Sequence, residues 1–157
     1  MRLPAWILAA FLTLAASAPT ALYSAETPSA VLEQSMSETL DIWRDGRYEN
    51  LFERLAHRGK TSREAFVKKM QGARMRPACC WQKMEHFKVL NEKKTEATVY
   101  VKLGLDGSLD GTSSSTREFK LTHEGGVWKM QLADIFSLAG LSGKKTRNAK
   151  GKKHGAL

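Results

Sequence analysis

With 157 residues, 42% of them hydrophobic, the chain is long enough for one domain that buries its own core without a disulfide or metal to hold it together. Its formal net charge of +9 suggests an acidic partner, but six of the 25 basic residues lie between Lys144 and Lys153 and another is Arg2. The other 18 basic residues are nearly balanced by 16 acidic residues. This balance excludes a folded domain that binds nucleic acid through a uniformly basic surface.

Residues 1–25 predict a secretory signal peptide and a short linker. One positive side chain, Arg2, precedes an apolar run from Trp6 to Ala16, and the small residues that follow suit a signal peptidase. The run is shorter than the roughly 20 residues that a transmembrane helix needs. We therefore expect a periplasmic or secreted protein with no transmembrane span after cleavage and no nucleic-acid partner. An uncleaved N-terminal anchor is the alternative.

Three helices are predicted early in the body, which spans residues 26–139. The first, over 29–44, has apolar side chains at helical spacing: Leu32, Met36, Leu40 and Trp43. A short second helix carries Leu51, Phe52 and Leu55. Thr61 and Glu64 form a capping box that predicts the start of the third helix, with Thr61 as the cap. The buried face of that helix is Phe66, Val67, Met70 and Ala73, and Pro77 prevents its continuation.

After Pro77 the apolar period changes from 3.6 to 2, which predicts strands. Between Thr95 and Leu103 apolar and polar side chains alternate, so one face is buried and the other meets water. A later pair of alternating segments is joined by a hairpin turn at Glu124-Gly125-Gly126. Residues 104–115 predict a flexible connection, and 133–139 a short closing helix. Helices followed by strands indicate an α+β domain.

This order of elements resembles the nuclear transport factor 2-like superfamily, whose fold is a cystatin-like α+β cone. The resemblance covers residues 28–138 and includes the Trp43–Tyr48 step and the Ser/Thr-x-x-Glu-x-Phe start of the third helix. It implies three N-terminal helices packed on a curved antiparallel sheet of about four strands, a pocket between the layers and a homodimer through the outer sheet face. The chain is similar in particular to small exported members of unknown role, and the fold alone assigns no function.

Six apolar side chains are predicted to line the pocket of such a cone: Trp43, Phe66, Val99, Val101, Trp128 and Met130. A pocket of this kind suits a small apolar ligand. The alternative is that the six side chains fill it. The sequence has no dinucleotide fingerprint, phosphate loop or nucleophile elbow, so we expect no cofactor and no metal. The predicted function is an exported, non-catalytic module that binds a small ligand or a protein.

Three polar side chains are candidates for acid–base catalysis in the cone. Glu85 and His123 share strand parity with apolar neighbours, and Tyr48 lies at a helix junction, where its hydroxyl can donate. Each also has a simpler interpretation. Glu85 can be solvated at a strand edge, His123 can reach water beside the hairpin turn, and the Tyr48 ring can pack between helices. The isomerase members of the superfamily use an inward aspartate late in the sheet, whereas Asp134 lies beyond the last clear strand.

Cys79 and Cys80 are adjacent and are the chain's two cysteines. Neighbouring side chains on a strand point to opposite faces, so both sulfurs cannot enter one core without a kink. In an oxidising compartment they can form a strained, reducible disulfide. Alternatively they bind a thiophilic metal with Met84 or His86, pair between chains, or remain buried or half-buried thiols at the start of a strand. A cone-pocket enzyme or a thiol-based redox or metal sensor is therefore the alternative function.

The last 18 residues, 140–157, predict a disordered basic tail. They contain six Lys or Arg residues, several glycines, and neither acidic nor aromatic residues. Each cation contributes about 1 kcal/mol beside an anionic surface before screening by salt. The tail therefore predicts a tether to phospholipid headgroups, lipopolysaccharide or another acidic polymer. A tail that only solubilises the protein is the alternative.

Overall fold

The computed structural model of the protein describes residues 27–107 and 111–141, so the predicted leader and most of the predicted tail lie outside the described residues. These ranges contain four helices, α1 (Pro28–Arg44), α2 (Tyr48–Glu53), α3 (Arg63–Gln71) and α4 (Leu132–Leu138). They contain six strands, β1 (Leu55–Ala56), β2 (Met75–Pro77), β3 (Met84–Glu92), β4 (Glu96–Gly107), β5 (Gly111–Glu124) and β6 (Val127–Gln131). A 3-10 turn (Cys80–Lys83) lies between β2 and β3.

α1 begins and ends close to the predicted positions. The Thr27 hydroxyl accepts a hydrogen bond from the Ala30 N–H at 3.4 Å, and Pro28 takes the first turn, where its missing N–H leaves no helical bond unmade. Gly46 has a φ of 73°, the left-handed conformation that follows many helix ends. The buried stripe of α1 contains the four predicted apolar residues and faces the sheet. None of the helices in the described ranges is both long and apolar enough to span a membrane.

α3 begins with a different cap from the predicted one. The Ser62 hydroxyl accepts a hydrogen bond from the Ala65 N–H at 3.2 Å, so the prediction that Thr61 caps this helix is wrong. Both hydroxyls precede the same apolar stripe, and the sequence pattern fits either position. The pKa of Glu64 is lowered by hydrogen bonds from its own backbone N–H and from the Ser62 hydroxyl.

The sheet is mixed, so the prediction of an antiparallel sheet with about four strands is wrong in part. Its strand order is β1-β6-β5-β4-β2, and β3 also pairs with β4. β1 runs parallel to β6 with Leu55 opposite Met130, whereas the other pairs are antiparallel. β1 also precedes Pro77, where the sequence changes from helical to strand-like. A strand of two residues, such as β1, is too short to show alternation. Its pairing depends on where the chain lies when it leaves α2.

β4 and β5 form a long hairpin. They pair from Glu96 opposite Thr122 to Gly107 opposite Gly111, so most of the predicted flexible connection over 104–115 is strand. The segment contains many small and polar residues and lacks the apolar–polar alternation that predicts a strand, because this end of β5 is exposed and has no apolar face. The predicted hairpin turn after Glu124 and the closing helix, observed as α4, are confirmed.

One apolar core lies between the helices and the inner face of the sheet. On that face Val99 is opposite Phe119. The Phe66 ring lies 5.4 Å from the Phe52 ring and 5.6 Å from the Phe136 ring, which joins α3 to α2 and α4. Leu141, which the sequence places in the tail, packs against this core. The α+β class, with N-terminal helices packed on a sheet, is confirmed.

Candidate functional site

The interior of the domain is filled by the side chains that the sequence assigns to a ligand pocket. The six residues belong to the core cluster, and their exposed fractions range from 0% to 8%: Trp43, Phe66, Val99, Val101, Trp128 and Met130. They contact other core side chains, as the alternative interpretation has it. Their role in binding an apolar ligand stays a prediction.

A cleft of about 600 Å³ lies mainly on the outer, solvent-facing side of the sheet. We call it the outer cleft. It lies between the β3–β4 turn and the start of α4, above the outer face of β4 and β5. Its polar lining comprises three carboxylates, three basic side chains and four neutral side chains: Glu96, Glu118, Asp134, His57, Lys93, Lys120, Asn91, Thr98, Thr122 and Gln131.

The floor of the outer cleft is part of the regular β4–β5 ladder. Thr98 is directly opposite Lys120, and Gln131 donates a hydrogen bond from Nε2 to the Thr122 hydroxyl at 3.0 Å. The ion pairs found among residues 27–107 and 111–141 do not involve Lys93 or Lys120. Both ammonium groups are therefore available to a ligand, that of Lys120 from the β4–β5 ladder and that of Lys93 from the β3–β4 turn.

Asp134 lies at the edge of the outer cleft, in the first turn of α4. Burial raises the pKa of its carboxyl group, and the charge of Arg117 opposes this rise. The Arg117 Nη2 atom lies 3.4 Å from Asp134 Oδ1, and the guanidinium group lies 4.7 Å from the centre of the Phe119 ring. Asp134 therefore gains its negative charge at a higher pH than an exposed aspartate.

The structure separates two of the three candidate catalytic side chains. Glu85 accepts a hydrogen bond from Lys102 Nζ at 2.7 Å, and Lys102 is opposite Thr116. The ring of His123 lies 4.9 Å from that of Trp128, near the C-terminal end of β5. Thr116 and His123 are about 23 Å apart at the usual rise of a strand, so Glu85 and His123 cannot contact one small substrate.

Tyr48, the third candidate, is half-buried at the start of α2. It lines a separate cleft of about 330 Å³ with Val67 and Gln71 of α3. Its ring packs against the core, which agrees with the simpler interpretation of this residue.

Cys79 and Cys80 form a disulfide, and both residues are exposed. The interpretation that they are buried or half-buried thiols at the start of a strand is therefore wrong. Cys79 precedes the 3-10 turn in an extended conformation, and Cys80 begins the turn with a φ of 61°. The next side chain, Trp81, is 72% exposed. The turn could not be predicted from the local sequence, because Cys-Cys-Trp contains no glycine or proline, the residues that usually mark turns.

The turn that carries the disulfide is held firmly against β4 and α1. The Ala78 N–H donates a hydrogen bond to the Gly104 carbonyl at 2.9 Å. A Cβ atom at Gly104 would lie 2.2 Å from the Gln82 carbonyl oxygen, so this approach requires glycine. Lys83 Nζ lies 2.5 Å from Asp41 Oδ2, which links the turn to α1.

The structure supplies little for a metal site. Across residues 27–107 and 111–141, no group of three or more His, Cys, Asp or Glu side chains is placed to hold a metal ion. His86, suggested beside the cysteines, is exposed on β3 with a φ of 56°.

The outer cleft is the site that sequence reasoning missed. Strand alternation places Glu96, Thr98 and Lys120 on the wet face, which was the available signal. Alternation does not reveal that the β3–β4 turn and α4 lie on either side of these residues. The cleft depends on that tertiary arrangement.

No protein-family profile and no curated protein sequence matches the chain. Among solved structures, it is similar to a protein of unknown function with a cystatin-like fold from Nostoc punctiforme, at 12% identity and a TM-score of 0.47, over 64% of this chain and 83% of that one. It is also similar to a protein from Xanthomonas campestris described as a calcium/calmodulin-dependent protein kinase II association domain, at 10% identity and a TM-score of 0.46, over 68% and 85% of the two chains. A third similar structure is Aln2 from a Streptomyces species, at 10% identity and a TM-score of 0.43, over 68% and 88%. The first of these neighbours is described with the cystatin-like fold that the sequence resemblance implies.

Proposed function

We propose that the protein is a non-catalytic binding module whose outer cleft holds a short peptide or a similar small molecule that carries both charges. The observation that carries this proposal is the contrast between a filled interior and an open polar cleft. A volume of about 600 Å³ lies within the usual range of small-molecule sites.

The charges of the outer cleft support a ligand with two opposite charges. Lys93 and Lys120 present ammonium groups to a carboxylate, and Glu96 and Glu118 present carboxylates to an amine. Thr98 lies directly opposite Lys120 and adds a hydroxyl group between the charged side chains. A ligand with a single charge would leave one set of these groups without a partner, whereas a peptide satisfies both.

This proposal replaces the apolar ligand that the sequence predicts with a polar one. Export, a periplasmic or secreted location and a tail that binds an anionic surface remain predictions. The homodimer through the outer sheet face also remains a prediction. Tyr100, which lies on that face opposite Glu118 and is 41% exposed, is a side chain that such a dimer would bury.

Native mass spectrometry of the gently purified protein tests the ligand and the dimer together. We expect a retained small molecule in the wild type and its loss from the double variant K93E/K120E. We also expect calorimetry with a mixture of short peptides to show at least about tenfold weaker binding for that variant, the equivalent of roughly 1.4 kcal/mol.

Lys88→Glu is the matched control for the double variant. Lys88 is exposed, lies opposite Tyr100 and is absent from the lining of the outer cleft, so K88E should bind like the wild type. A wild-type protein that neither retains a ligand nor binds the added peptides would contradict the proposal. Equal binding by the wild type and K93E/K120E would do so as well.

The two alternative functions have unequal support. A cone-pocket enzyme would need its candidate residues assembled in the interior, whereas Glu85 pairs with Lys102 and His123 packs beside Trp128. A thiol-based function has a specific observation in its favour, the exposed Cys79–Cys80 disulfide. Its chemistry does not depend on the outer cleft.

A further inference from the structure

The Cys79–Cys80 disulfide is open to attack from solvent. Both cysteines are exposed at the start of the 3-10 turn, and Trp81 beside them is the most exposed of the large apolar side chains in the described ranges. Thiol–disulfide exchange requires that a thiolate reach one of the two sulfur atoms. Because both cysteine residues are exposed, the bond lies at the protein surface, where a thiolate can approach it.

The disulfide joins neighbouring residues, so it holds no distant segments of the chain together. The loop that it closes is minimal, and a disulfide of this kind restricts the unfolded chain very little. The position of the turn is instead fixed by the Ala78–Gly104 hydrogen bond and the Lys83–Asp41 ion pair. Reduction of the disulfide therefore leaves the turn in its position against β4 and α1.

We propose that the Cys79–Cys80 disulfide is a thiol–disulfide exchange site that oxidises a dithiol on a partner protein, with Trp81 as a contact surface for that partner. The proposal is independent of the outer cleft and of any ligand there.

The exchange proceeds in two balanced steps. A thiolate of the partner attacks one cysteine sulfur, the Cys79–Cys80 bond breaks, and the other cysteine leaves as a thiolate that takes a proton from water. The partner's second thiol then loses its proton and attacks the partner sulfur of the mixed disulfide, which releases the remaining cysteine. The partner loses two electrons and two protons and becomes a disulfide, while Cys79 and Cys80 gain them and become two thiols.

Because the two cysteines are adjacent, a dithiol should reduce their disulfide more effectively than a monothiol. After the first step, the freed cysteine lies beside the mixed disulfide and attacks it at a high effective concentration, which restores the original bond. A monothiol adduct is therefore short-lived. A partner with a second thiol in reach competes with this return and completes the reduction.

Trp81 supplies the apolar contact that a protein partner needs beside the reacting bond. Tryptophan is enriched among the residues that dominate protein interfaces. Its side chain is 72% exposed and follows Cys80 directly in a turn that is fixed against β4.

The test uses the full chain purified without reductant, with alkylation and intact-mass measurement as the readout. Before reduction we expect no labelled cysteine. Dithiothreitol and reduced thioredoxin, as a small and a protein dithiol, should each give two labelled cysteines with an unchanged near-ultraviolet circular dichroism spectrum. Mercaptoethanol at the same thiol concentration should leave most of the protein unlabelled. K93E/K120E should behave like the wild type, which separates this site from the outer cleft.

The variant Trp81→Ala tests the contact surface. We expect W81A to react with thioredoxin about tenfold more slowly, and with dithiothreitol at the wild-type rate. The matched control is Leu90→Ala, because Leu90 is another exposed apolar side chain, at 45%, on β3. L90A should keep both rates.

Several results would overturn the proposal. Two labelled thiols before reduction would show that the disulfide does not form. Loss of the folded spectrum on reduction would make the bond structural, and equal reduction by mercaptoethanol would remove the dithiol preference. A W81A variant that keeps its thioredoxin rate, or loses both rates equally, would refute the role of Trp81.

Discussion

Replacing Gly104 by alanine tests whether the turn that carries the cysteines is packed rigidly against β4. The new Cβ atom would lie 2.2 Å from the Gln82 carbonyl oxygen and 3.2 Å from the Ala78 Cβ. The first contact is with backbone, so it cannot be relieved by rotating a side chain. The turn must move away by about 1 Å, or the strand must bend.

The cost of G104A follows from that displacement. Overpacking of a well-packed site costs about 1–3 kcal/mol. Weakening of the Ala78–Gly104 hydrogen bond, 2.9 Å in the structure, adds about 1 kcal/mol. We therefore expect the free energy of unfolding to fall by about 2–4 kcal/mol, and Tm to fall by about 8–16 °C for a domain of this size.

Urea unfolding followed by circular dichroism measures this loss, and Gly72→Ala is the matched control. Gly72 follows α3 with a φ of −90°, and a Cβ there would lie 3.6 Å from its nearest neighbour, an ordinary contact. G72A reports the reduced flexibility of the unfolded chain, an effect that we expect to stay within about 1 kcal/mol. If the unfolding free energies of G104A and G72A differ by less than about 0.5 kcal/mol, Gly104 does not pack closely against the Gln82 carbonyl group.

Three further predictions concern the core, the disulfide and Asp134. Phe66→Ala should cost about 3–5 kcal/mol of unfolding free energy in urea, because it empties part of a packed core; a loss below about 1 kcal/mol would favour a ligand pocket instead. The double variant C79S/C80S should change that free energy by about 1 kcal/mol or less, and a larger loss would show that the disulfide holds the fold. The raised pKa of Asp134 means that the folded state binds its proton more tightly than the unfolded state, so this contribution to stability is complete below the unfolded pKa of about 4 and is lost as pH rises through the folded pKa. The stability of the wild type relative to Asp134→Asn should therefore fall as the pH rises above about 4 in urea unfolding, and a constant or rising difference would contradict the effect of burial on Asp134.

The helices and the inner face of the sheet could be predicted because each depends on local periodicity. Leu32, Met36, Leu40 and Trp43 identify α1, and the alternation around Val99 and Val101 identifies the buried face of β4. The exposed first half of β5 could not be predicted in the same way. Its backbone groups pair with β4, but most of its side chains meet water and show no apolar alternation.

The sequence by itself determined the α+β class and the side chains that form the core, since 3.6-residue and two-residue periods are properties of neighbouring residues. The tertiary structure alone decided the parallel pairing of β1, the outer cleft and the exposed disulfide turn. Each of these requires segments that are distant in sequence: Leu55 beside Met130, Lys93 in one cleft with Asp134, and Gly104 against Gln82. Such contacts are set by how the elements pack, and no local pattern records them.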